Sequence, residues 1–128
     1  MLTCLALALG VSFAELPSLA AEVEADARRL TVQTEITPAF LAGIEDFSTD
    51  AERLSVSLRE LGVEQDLPCI FHGIAEDARV HIAALQEADT QAERDSAFTN
   101  LRVLLDDAIL IAPMAASAAA DRQHASNH

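Results

Sequence analysis

The sequence predicts an all-α protein, an antiparallel up-and-down helical bundle of three long helices plus a shorter N-terminal helix. Three observations point there. The chain has 128 residues, 51% of them hydrophobic, with only four Gly and four Pro. That is enough apolar material for one core and too few turn residues for a small β-sandwich or barrel. Apolar residues recur in alternating steps of four and three over most of the chain, the spacing of one helix face. Capping residues stand where those stripes begin and end. With no Trp, no Tyr and five Phe, the core must be largely aliphatic.

Each element follows in order. Leu5 to Phe13 is an apolar run, and Ser18 and Ala20 supply small residues at the −3 and −1 places of a cleavage site. Residues 1–20 are therefore expected to be a secretory signal peptide, although no Lys or Arg precedes the run. Either the start lies upstream, or the run is a short buried first helix. Cys4 has too few residues before it for a lipoprotein site. The bundle domain is expected over 21–120. Its first helix spans Ala21 to Glu35, with Val23, Ala27 and Leu30 at i, i+4, i+7. Early acids and the later Arg28 and Arg29 suit the helix dipole.

Thr37-Pro38 opens the second helix, Thr as cap and Pro in the first turn. Its stripe is Phe40, Ile44, Phe47, Ala51, Leu54, Leu58 and Leu61, and Gly62 follows where a left-handed residue belongs. Thr49 and Glu52 form a capping-box pattern, so a kink or restart is expected near Phe47–Asp50. The third helix is capped by Asp66, with Pro68 behind it, and its seam reads Leu67, Phe71, Ile74, Ala78, His81 and Leu85. Ile70, Val80 and Ile82 widen that face. Thr90 and Glu93 make a second capping box. The fourth helix then carries Phe98, Leu101, Leu105, Ala108, Ala112 and Ala115, with a kink expected a turn before Pro113. Residues 121–128 lack periodicity and are expected to be a disordered tail. Short links between the long helices make neighbours antiparallel.

The formal charge is −13, from 21 acids against eight bases, every one of them Arg. Such a surface repels phosphate backbones and anionic membrane surfaces, so no nucleic-acid partner is expected. Asp106, Asp107 and Pro113 interrupt the most apolar later stretch, Leu101 to Ala120, so no membrane span is expected in the mature chain.

Candidate chemistry is sparse. Cys69 in the first turn of the third helix, with His72 on the same face, suggests a low-pKa thiolate or half of a metal site. Two ligands fall short of a structural zinc site. A small buried residue, or one half of an intermolecular disulfide, are the other readings of Cys69. His81 on the seam reads first as a packed histidine, with Asp77 as its acceptor, and second as a haem or metal ligand. Met114 is a formal axial candidate only. Cys69, His72 and His81 are thus the weak metal candidates, and no catalytic or cofactor-binding residue stands out. Glu45-Asp46, Glu76-Asp77 and Asp106-Asp107, one pair per long helix, read as solvated faces ahead of a cation site or acid–base pair. His124 and His128 form a weak metal-binding tract. Phosphate loops, nucleophile elbows and H-E-x-x-H are absent.

The sequence therefore favours a non-catalytic exported bundle, periplasmic or secreted, that binds a protein partner or itself and carries no cofactor. A small-ligand or metal-binding bundle is the alternative, and an enzyme the least favoured.

Overall fold

The structure is a computed structural model that describes residues 15–63 and 66–126. Cys4 and the Leu5–Phe13 run lie outside the described residues, as does His128. Four helices make up the fold: α1 (Leu16–Thr31), α2 (Pro38–Glu60), α3 (Leu67–Glu87) and α4 (Gln91–Ser126). There is no strand among the described residues. α1 packs on α4 and α2, α2 on α3, and α3 on α4, so each helix has two neighbours around one core.

α1 starts five residues before the expected Ala21. Pro17 sits in its first turn, where a missing N–H removes no helical bond. Leu16, Leu19, Ala20, Val23, Ala27 and Leu30 are all buried, the spacing of one helical face. Burying leucines at 16 and 19 contributes about 1.5–3 kcal/mol apiece. The apolar residues at 16–20, which read as the end of a leader, are core residues in the fold.

α2 follows its predicted stripe, with all seven residues from Phe40 to Leu61 buried. Thr37 Oγ1 accepts from the Phe40 N–H at 3.0 Å, and Gly62 ends the helix at φ 79°. The expected break at Phe47–Asp50 does not occur. Instead Ser48 faces inward and donates to the Ala75 carbonyl at 2.9 Å, while Thr49 donates to the Glu45 carbonyl one turn back. A second inward serine, Ser55, donates to the Pro68 carbonyl. Serines at these contacts let α2 and α3 approach closely while both hydroxyls keep an acceptor.

α3 departs from its predicted seam at one position. Ile82 is buried and His81 is half-exposed, so the core residues run Leu67, Phe71, Ile74, Ala75, Ala78, Ile82 and Leu85. A straight helix turns every 3.6 residues, so a strict 4-3 ladder drifts off the face after a few turns. Ile70 and Val80 point outward, at 37% and 61% exposure, and do not widen the buried face. The predicted Asp66 cap makes no side-chain bond.

α4 opens on a capping arrangement in which Thr90 Oγ1 accepts from the Glu93 N–H at 3.1 Å. The Glu93 carboxylate reaches back to the Asp89 N–H at 3.0 Å. The helix runs unbroken through Pro113 to Ser126, so the segment after Ala120, expected to be disordered, is helical as far as it is described. At 36 residues it is roughly 54 Å long by the 1.5 Å rise per residue. Here the expectation of no membrane span is corrected: α4 is long and apolar enough to cross a bilayer, by length and composition. The interruptions that argued otherwise do not interrupt the helix. Val103 to Ala120 holds only two charged residues, Asp106 and Asp107, and Pro113 is absorbed.

Candidate functional site

The sequence candidates do not converge. Cys69 is exposed, not a small buried core residue, and it is disulfide-bonded. The chain's other cysteine, Cys4, lies outside the described residues. The second candidate, His72, is half-buried one turn further along α3. Its Nδ1 lies 2.8 Å from Glu52 Oε2 on α2, and its Nε2 lies 3.2 Å from Glu76 Oε1 on α3. The two carboxylates occupy opposite edges of the ring, so they do not aim at a common point. Among the described residues no group of three or more His, Cys, Asp or Glu is placed to hold a metal ion.

His81 lies apart from this cluster, in an open groove of 580 Å³ between the end of α3 and the start of α4. Glu87, Glu93, Ser96 and Asn100 share the groove with it. Met114, the formal axial partner, is absent from that lining and is itself 58% exposed. The three acidic pairs are all exposed, as solvated faces require. Two of their carboxylates make polar contacts: Glu76 to His72, and Asp106, which accepts from Thr31 Oγ1 at 2.7 Å.

Two features escaped sequence reasoning. The first is a carboxyl contact between α1 and α2, where Asp26 hydrogen-bonds Asp50. Burial, and then the neighbouring Asp26 charge, raise the Asp50 pKa above its ordinary value of 3.8. Arg29 binds Asp26 at 2.6 Å and Arg53 lies 3.6 Å from Asp50. Nothing local in the sequence announces this pair, because the two residues meet only through packing.

The second is the outer face of α4. Val103, Leu110 and Met114 are 56%, 73% and 58% exposed. At i, i+7 and i+11 they lie on one line along the helix. The opposite face, with Leu101, Leu105, Ala108, Ala112, Ala115 and Ala119, is buried. The outer side of α4 thus combines three large apolar side chains with the exposed carboxylates of Asp106 and Asp107, which lie between Val103 and Leu110.

Comparison with known proteins finds no matching family model, no matching curated protein and no matching solved structure.

Proposed function

We propose that the chain is a non-catalytic, exported helical bundle that works by association, with the outer face of α4 as its contact surface and a second copy as its partner. The observation that carries this reading is the line of Val103, Leu110 and Met114, three large apolar side chains each more than half exposed on one helix face. No cluster with the geometry of a catalytic centre competes with it among the described residues.

An antiparallel up-and-down order supports a rigid surface. Ser48 meets Ala75 and Ser55 meets Pro68, so contacts on α3 retreat as α2 advances. Thr31 and Gln33, at the end of α1, meet Asp106 and Arg102 on α4. Export to the periplasm or beyond rests on the apolar run of residues 5–13.

Sedimentation velocity tests the association. A net charge of −13 opposes pairing at low ionic strength and is screened as salt rises. The expected result is a dimer fraction that grows with salt and is abolished by Leu110→Asp with Met114→Asp. A strict monomer at every salt concentration overturns the proposal.

A second reading has its own observation, the length and apolarity of α4. In it the helix enters a bilayer, and the full chain floats with neutral lipid vesicles while the double variant does not. The groove beside His81 is the place where a small-ligand reading would begin.

A further inference from the structure

We propose that the bundle is built of two helix pairs, α1 with α4 and α2 with α3, which part along the α1·α2 seam when the contact between Asp26 and Asp50 loses its proton. α1 packs much more extensively on α4 than on α2, and α2 much more on α3 than on α1. The polar contacts follow the same division. Ser48 and Ser55 of α2 donate to carbonyls of α3, and Thr31 of α1 donates to Asp106 of α4. The α3·α4 seam, the other sparse one, carries the open groove beside His81 and is placed to flex as the hinge. Arg122 reaches from α4 to the Leu61 carbonyl at 3.3 Å, a long hydrogen bond from an exposed residue that restrains the pairs weakly.

At the α1·α2 seam the facing groups repel once both are ionised. Asp26 and Asp50 have only 18% and 22% of their side chains exposed, and a hydrogen bond between two carboxyls needs a proton on one of them. The charges acting on Asp50 are Asp26 and Glu22 from α1 and Arg53 from α2. Arg53 and the Arg29 that binds Asp26 are themselves 42% and 64% exposed, so solvent screens their help. The contact therefore joins the two pairs in acid and pushes them apart as pH rises.

Relaxation dispersion at methyl groups of the full chain, which detects sparsely populated open states, tests this. Leu30 reports on the α1·α2 seam, since a Cβ at Gly43 would lie 2.7 Å from its Cδ2. Thr31 reports on α1·α4 through its bond to Asp106, and Ala75 reports on α2·α3 beside Ser48. The expected result is exchange at Leu30 that is absent below pH 3.8 and present near neutrality, with Thr31 and Ala75 quiet at both. Asp50→Asn, which cannot ionise, should abolish that exchange near neutrality. This last comparison decides alone should the chain unfold in acid. A quiet Leu30, exchange that grows equally at all three positions, or exchange that survives Asp50→Asn overturns the proposal.

Discussion

His72 of α3 is held against Glu52 of α2 by a 2.8 Å contact at Nδ1, while its other nitrogen faces Glu76 at 3.2 Å. The two carboxylates differ in setting. Glu52 has 24% of its side chain exposed, and Glu76 has 61%. A contact between two half-buried groups on different helices is screened less than one on an exposed helix surface. A double-mutant cycle between His72→Gln and Glu52→Gln is expected to give a coupling of about 1 kcal/mol. The cycle with Glu76→Gln should give about 0.3 kcal/mol, as exposed i,i+4 pairs do. Urea denaturation of the four proteins in each cycle measures both.

The Asp26–Asp50 contact gives stability a pH dependence of definite sign. The folded-state pKa of Asp50 lies above 3.8, chiefly because burial disfavours the carboxylate and then because Asp26 adds negative charge. In the window between 3.8 and that raised value, the folded state binds more protons than the unfolded state. This contribution is fully present below 3.8 and is lost as pH rises through the raised folded value. Asp50→Asn removes the titration while keeping a hydrogen-bonding side chain. It is expected to raise the neutral-pH melting temperature and to flatten the stability profile above 3.8, measured by melts across a pH series.

Helix caps predict a contrast among three similar substitutions. Thr37 and Thr90 each accept a backbone N–H, at 3.0 and 3.1 Å, whereas Asp66 makes no cap bond. Thr37→Ala and Thr90→Ala are expected to cost about 1 kcal/mol apiece. Asp66→Ala should cost less than about 0.5 kcal/mol, within the range of ordinary surface substitutions. Chemical denaturation distinguishes these values.

Two glycines predict opposite outcomes. Gly73 is helical, and a Cβ there would meet nothing within 4 Å. Gly73→Ala should stabilise by about 0.5–1 kcal/mol, through the propensity difference alone. Gly62 has φ +79°, and a Cβ there would lie 3.3 Å from Arg122 Nη2. Gly62→Ala should destabilise by about 1 kcal/mol. Melting temperatures moving in the same direction would contradict this pair.

Much of the helical architecture was legible because spacing and caps repeat one message along the chain. Phe40 to Leu61 forms a seam without error, bounded by Thr37 and Gly62, and its residues are buried as read. Legibility failed where a local signal had two physical meanings. Leu16, Leu19 and Ala20 suit either a leader or a helix face, and only their partners decide between them. Thr49 and Glu52 have the spacing of a capping box, yet the Thr49 hydroxyl donates back to the Glu45 carbonyl and the helix is continuous through both. Ile82 displaces His81 because the ladder was read with a period slightly too short. The exposed line on α4 was hidden for a different reason. The seam of Leu101, Leu105, Ala108, Ala112 and Ala115 was read correctly as the core side, but that reading is silent on Val103, Leu110 and Met114, which fall off the seam on the opposite side.

The buried side of α4 is made largely of alanines, at 97, 108, 112, 115 and 119. Methyl groups make shallow ridges, and a shallow ridge resists axial sliding far less than a row of interlocking leucines. Shape fixes the position of α4 chiefly in its first half, where Leu101, Leu104 and Leu105 are buried and Phe98 packs edge-on against Phe40, and only weakly along the alanines. Three polar contacts add to that hold. Thr31 holds Asp106 at 2.7 Å, Arg102 holds the Gln33 carbonyl at 2.7 Å, and Arg122 reaches the Leu61 carbonyl at 3.3 Å. They act as latches on a smooth rail. Along the alanine stretch, these exposed and half-buried groups therefore reinforce a registration that the small methyl ridges hold only weakly.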